Sequence, residues 1–245
     1  ARCGDGGGCL PRPDEWCAFF INLARRADRR ARLLHMLSLA NGPLVRRLER
    51  IEAVDCKRLS FRHRAVVGAV ASEALRRARR ACRLRHCTIV HNGHGELVHF
   101  DDHLTLGAIA CALSHRRALK KLAAHPTAEW GLILEDDVST VVPRVDLAIG
   151  RMLPKLPAEW DAVCLGYHHP IGKPHASAHA PQGNMGMVLS GVDVPVLAAR
   201  QPIYGLGAWM LRKRAARLLV DSAFPISRST TRSRGACRRA GGSLW

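Results

Sequence analysis

No run in the 245 residues approaches the roughly 18 consecutive apolar residues that a membrane helix requires. No CxxC pair occurs, and the nine cysteines are an odd number that does not close a disulfide set. They fix no redox compartment. Walker A, GxGxxG, GxSxG and HExxH are all absent, so the common phosphate-loop, dinucleotide, hydrolase and zincin signatures are excluded. Aromatic residues are only 5% of the chain, and few fall among its basic residues. That leaves no stacking platform for single-stranded nucleic acid. Zinc-finger and RRM signatures are missing too. Lysine is scarce: six of the 38 basic residues are lysines and the other 32 are arginines.

What is present begins with an ordinary globular balance, 47% hydrophobic and 24% charged, which excludes disorder over the whole chain. The length suits one domain, or one and a small appendage. The chain starts at Ala1 without an apolar signal segment, and reads as a fragment or a processed form. Twenty acids against 38 bases give +18, a surplus that favours anionic partners. Arginine and alanine bias of this kind also follows from a GC-rich coding region with no function attached.

Residues 1–15 are rich in Gly and Pro and read as a disordered leader. Trp16–Leu23 (WCAFFINL) is a short apolar run and predicts a buried strand. Residues 24–39 carry Leu33, Leu34 and Leu37 among arginines, an amphipathic helix stopped by Asn41-Gly42-Pro43. Arg50–Val54 predicts a second strand. Val66–Leu84 predicts one helix, the most basic segment, whose arginines read as a solvated face. Cys87–Val90 predicts a strand and His91-Asn92-Gly93 a turn. Thr105 caps a helix to about Ala124, with Leu106, Ile109, Ala110 and Leu113 on one face. Trp130–Leu134 is a buried strand, Val145–Leu153 a helix and Asp161–Gly166 another buried strand. Residues 167–186 read as a long loop. Tyr204–Met210 is strand-like, Arg212–Val220 helical, and residues 226–245 form an irregular basic tail with no acid after Asp221. Cys111 and Cys164 sit in apolar runs and read as buried thiols. Alternating strands and helices over residues 16–225 argue an α/β domain with a mainly parallel central sheet.

The sharpest local feature is Glu135-Asp136-Asp137 directly after a buried strand. Open α/β sheets bind ligands beyond the carboxyl ends of their strands. Three adjacent carboxylates repel one another, and a hard divalent cation relieves that repulsion while completing its shell with phosphate and water. An acidic turn also commonly stays solvated or caps the next element. His115 lies on the shoulder of the apolar helix face and reads as a hydrogen-bonded structural histidine when taken singly. His168 and His169 follow a strand end. His91, His94, His99 and His103 lack a zinc-ligand spacing.

Six blocks in order resemble glycosyltransferase family 25, which includes lipopolysaccharide and collagen galactosyltransferases. They are Phe20-Ile21-Asn22-Leu23 with Arg26, Asp28, Arg29 and Arg30; Glu49-Arg50 with Ala53-Val54-Asp55; and Leu104-Thr105-Leu106-Gly107 with Cys111-Ala112-Leu113-Ser114-His115. The others are Trp130 with Ile133 to Val138, Trp160-Asp161 with Leu165-Gly166, and Tyr204-Gly205 with Ala208 and Ala215. The resemblance implies a GT-A-like nucleotide-binding fold and a metal-dependent, inverting transferase. It would move a sugar, galactose by the family pattern, from a UDP-sugar to a hydroxyl of a glycan or protein. It implies Mn²⁺ (or Mg²⁺) on Glu135 and Asp137 of a DxD-type motif, and donor contacts from Asn22, Arg26, Arg29, Asp55, Ser114, His115 and Asp136. Inversion needs a general base for the acceptor hydroxyl, which the motifs assign to no residue. A bacterial-type member would be cytoplasmic and a eukaryotic type would lie in the endoplasmic reticulum or Golgi lumen.

The chain departs from that pattern at Ala108, Ala110, Cys56 and Trp209, where the family has Glu, Gly, Gly and Tyr. The Asp-containing segment expected after Pro225 is replaced by Ser227-Arg228-Ser229-Thr230-Thr231-Arg232, which reads as a truncated or aberrant end. Two other functions fit these departures and the charge: an inactive family member, or a basic module for nucleic acid or another polyanion.

Overall fold

The first apolar run forms strand β1, Trp16–Asn22, and all seven of its residues are buried. Burial on both sides is what a central parallel strand demands. A computed structural model describes residues 15–84, 88–91, 97–100, 104–168 and 204–227. In chain order it holds β1, α1 (Ala27–Ala40), α2 (Gly42–Val45), β2 (Leu48–Glu52), α3 (Arg64–Val67), α4 (Ser72–Leu84), β3 (Thr88–His91) and β4 (Leu97–Phe100). Then come α5 (Leu106–Ala123), β5 (Trp130–Glu135), α6 (Val145–Met152), β6 (Ala162–His168), β7 (Tyr204–Arg212) and α7 (Lys213–Ser222).

Five strands form one sheet in the order β2-β1-β5-β7-β6. β1 runs parallel to both β2 and β5, while β7 runs antiparallel to both β5 and β6. The sheet is therefore mixed, parallel at β2-β1-β5, and the expectation of a mainly parallel sheet holds only for that part. β3 and β4 pair separately as an antiparallel hairpin.

The period-2 alternation of the strands divides the core between two faces. Cys17, Phe19, Ile21, Ile133, Trp209 and Leu211 pack with Leu119 and Leu122 of α5 and Ala215 and Ala216 of α7. Ala18, Phe20, Leu132, Leu134 and Met210 pack with Leu33 and Leu37 of α1, Leu44 of α2 and Ile149 of α6. Trp16 stacks on Trp130 across β1 and β5, with ring centroids 5.1 Å apart and planes 5° from parallel. A third cluster packs Val66 of α3 and Leu75 and Ala78 of α4 against Ile109 and Ala112 of α5.

Several boundaries moved, each for a physical reason. The single basic helix expected over 66–84 is two helices. Between them, Val70 bridges to Ile226, the Ala71 N–H donates to the Ile226 carbonyl and the Ile226 N–H to that of Ala69. A strand-like pairing of this kind takes the backbone out of the helical ladder. Ile226 is buried there, although its sequence reads as tail. β2 ends two residues early because the Val54 N–H turns to the Ser114 hydroxyl. Asp161–Gly166 is not a buried strand: among the described residues β6 pairs only with β7, at the edge of the described sheet, and Val163, Cys164 and Leu165 are half-buried. Cys111 is exposed rather than buried. His91 ends β3, and the rest of the expected turn at Asn92-Gly93, the 1–15 leader apart from Glu15, the 167–186 loop beyond His168 and the tail beyond Ser227 lie outside the described residues.

Candidate functional site

The carboxyl ends of β1, β2 and β5 meet at one edge of the sheet, and the acidic cluster sits there. Asn22 ends β1 and is buried. Its Nδ2 donates to Asp136 Oδ2 at 2.7 Å and to the Arg26 carbonyl at 3.0 Å. Its Oδ1 accepts from Arg50 Nε at 3.0 Å. One side chain thus ties together the ends of all three parallel strands. Arg29, one turn into α1, donates from Nη1 to Asp136 Oδ1 at 3.1 Å and lies 3.8 Å from Asp137. Asp136 is buried with both oxygens engaged, the condition under which a buried charge is tolerated. Asp137 is exposed.

Alternation separates the neighbouring carboxylates. Asp136 goes to the α1 face, while Glu135 goes with Ile133 to the α5 face. There Glu135 Oε1 lies 2.8 Å from His115 Nε2 and accepts from Cys111 Sγ at 3.7 Å. His115 is fully buried, and its ring packs on Trp209 with centroids 5.8 Å apart. The Trp209 indole N–H is buried and has no hydrogen-bond partner among the described residues. Although Cys111 reaches solvent, partial desolvation by the protein beside its sulfur, with the Glu135 and Asp137 charges, pushes that thiol up to about 12. It is therefore a protonated thiol at neutral pH.

The remaining expected site residues are placed as follows. Asp55 accepts from Arg25 Nε at 2.6 Å and from the Lys57 N–H at 3.0 Å, and the Arg25 guanidinium holds its carboxyl below the usual range. Arg26 pairs with Asp28 at 2.6 Å on the surface. Ser114 donates to the Ala110 carbonyl at 2.6 Å and accepts from the Val54 N–H at 2.8 Å, fastening α5 to the chain after β2. The edge therefore gathers Asn22, Arg29 and Asp136 in one network and His115 with Glu135 in another. Arg26 and Asp55 have separate partners. Ala108, where the family has Glu, is exposed in the first turn of α5.

Sequence reasoning missed Arg25 and Arg50 as partners of these groups and Cys111 as a neighbour of Glu135. For Cys111 a signal existed. Positions 111 and 115 are i, i+4 on one helix and share a face.

Residues 17–141 match the family model described as glycosyltransferase family 25 (LPS biosynthesis protein). That span is about half of the chain. The chain belongs to glycosyltransferase family 25. The matched span runs from β1 through β5 and the acidic cluster. The later blocks at Trp160-Asp161 and Tyr204-Gly205 lie beyond it. No curated protein matches the chain. Family 25 membership supports glycosyl transfer from a donor to an acceptor, and it carries the lipopolysaccharide-biosynthesis description. Among the described residues no helix is long and apolar enough to cross a membrane.

Proposed function

We propose that the chain transfers a sugar, galactose by the family pattern, from a UDP-sugar to an acceptor hydroxyl on a glycan or protein, with inversion, on a GT-A-like sheet. The observation that carries this reading is the convergence of Asn22, Arg29 and Asp136 beside Glu135 and Asp137 at the carboxyl edge of the parallel strands.

The donor set suits a hard divalent cation. Asp137 presents an exposed carboxylate, and Glu135 is partly exposed two residues earlier. Mn²⁺ or Mg²⁺ typically takes one or two protein carboxylates and fills its shell with phosphate and water. Glu135 and Asp137 would hold it, and bound there it would supply Lewis-acid stabilisation of the leaving diphosphate.

The chain's own groups do the rest. Asn22 and Arg29 fix Asp136, so the backbone leading to Asp137 is held from both sides. Arg29, half-exposed between the two aspartates, can turn its guanidinium to a donor phosphate, where its planar fork suits two oxygens. His115 orients Glu135 through the 2.8 Å contact.

The test is UDP binding by calorimetry with and without Mn²⁺, for wild type and Asp137→Ala. Binding that requires Mn²⁺ and is lost in Asp137→Ala is the expected result. Equal UDP affinity in the two proteins overturns the assignment.

A further inference from the structure

Besides the carboxylates, the same edge carries a mixed donor set. Cys111 Sγ, a His115 ring nitrogen and a Glu135 carboxylate oxygen all lie within 4.8 Å of one another. We propose that Cys111, His115 and Glu135 form a three-ligand site for a borderline divalent cation of the zinc type, with a fourth position open to solvent. This goes beyond the donor-metal reading above, with which it shares Glu135.

The argument rests on placement and on donor chemistry. The i, i+4 spacing puts Cys111 and His115 on one face of α5. α5 runs back along the sheet: Leu122 Cδ1 and Cδ2 would lie 3.1 Å from a Cβ on Gly131, near the start of β5, and His115 touches Glu135 at its end. Its earlier turns therefore reach the rim where Glu135 emerges. Tetrahedral zinc with bonds of about 2.0–2.3 Å needs ligand atoms roughly 3.3–3.7 Å apart. The Cys111 Sγ to Glu135 Oε1 distance is already 3.7 Å, and the 2.8 Å from His115 Nε2 to Glu135 Oε1 requires a small carboxylate shift. Thiolate and imidazole select zinc-type ions over Mn²⁺ or Mg²⁺, which prefer oxygen. On coordination the Cys111 proton leaves to solvent and the thiolate bonds the ion. Three protein ligands and an open position match the pattern of zinc sites that bind a further molecule. Cys111 is exposed and Glu135 partly exposed, so an ion can enter. Occupancy would also withdraw Glu135 from a harder ion two residues away.

Co²⁺ is the probe, because a cobalt–thiolate bond gives a charge-transfer absorption that oxygen ligands do not. The reduced full chain is titrated with Co²⁺, and the band is then challenged with Zn²⁺. We expect one Co²⁺ per chain, a band abolished by Zn²⁺ and absent from Cys111→Ser. Cys111 is exposed, so this variant keeps its fold, which circular dichroism checks. A band that survives in Cys111→Ser belongs to another cysteine and overturns the proposal, as does no band in wild type. Glu135→Gln should weaken the band, and an unchanged titration there also overturns it. Asp137→Ala separates the two readings: it should keep the cobalt band while losing Mn²⁺-dependent UDP binding, so either reading can fail alone.

Discussion

Asn22 donates to Asp136 at 2.7 Å across the ends of β1 and β5, 114 residues apart in sequence. Removing that donor leaves a buried carboxylate held, among the described residues, by Arg29 alone and frees the Arg50 guanidinium from Asn22 Oδ1. A buried group stripped of a partner costs about 1–3 kcal/mol. Asn22→Ala should lose that much in urea denaturation. A loss below about 0.5 kcal/mol, the range of neutral surface changes, would show that the contact adds nothing to the fold.

Gly131 lies under Leu122. A Cβ at position 131 would stand 3.1 Å from both Leu122 methyls and 3.3 Å from Cys17 Sγ. Gly131→Ala should therefore destabilise by about 1–3 kcal/mol through overpacking. Leu122→Ala, at a fully buried position, should cost about 2–5 kcal/mol. The double variant should be more stable than the sum of the two losses implies, because the cavity receives the new methyl. Strict additivity in thermal denaturation would contradict the close packing of α5 on β5.

Asp146 is buried at the start of α6, and Arg144 donates to it at 2.9 Å and 3.1 Å. The guanidinium holds its carboxyl below the ordinary 3.8. In the unfolded chain the group takes up its proton first as pH falls. The stability from this pair is therefore complete above 3.8 and is lost as pH drops through the lowered folded value. Asp146→Asn should be less stable than wild type at neutral pH. It should also lose less further stability on acidification, as acid titration followed by circular dichroism will show. Parallel acid curves for the two proteins would contradict this.

The +18 charge predicts affinity for duplex DNA or heparin that falls steeply as salt rises. On α4, Arg76 and Arg77 pair with Glu73 at 2.6 Å and 2.8 Å, and Arg79 donates to the Phe61 carbonyl at 2.6 Å. These pairings compete with phosphate for the guanidinium groups. Binding should therefore be weak at physiological salt and equal in wild type and Asp137→Ala. Tight binding at physiological salt that still falls steeply as salt rises, and is unchanged in Asp137→Ala, would favour the polyanion module over the transferase.

Much of the domain was legible in local pattern. Continuous apolar runs specify β1 and β5, since strands covered on both faces carry no polar alternation. Thr105 was readable as a cap, and its hydroxyl accepts from the Ala108 N–H at 3.1 Å. The acidic cluster was readable as the end of a strand. Pairing partners were less so. Nothing local distinguishes the half-buried strand β6 from a buried one, and the break after Gly68 depends on Ile226, more than 150 residues downstream.

By itself, the sequence determined the main strands and helices of the sheet and its flanking layers, and that Glu135-Asp136-Asp137 ends a strand, because periodicity and capping are local properties of the chain. Tertiary structure alone decided how those three acids divide. Strand alternation sends Glu135 to His115 and Cys111 on α5 and Asp136 to Asn22 and Arg29, while Asp137 stays in solvent. Those partners come from three elements, α5, β1 and α1, and which elements flank a strand is settled by the burial of both sheet faces together.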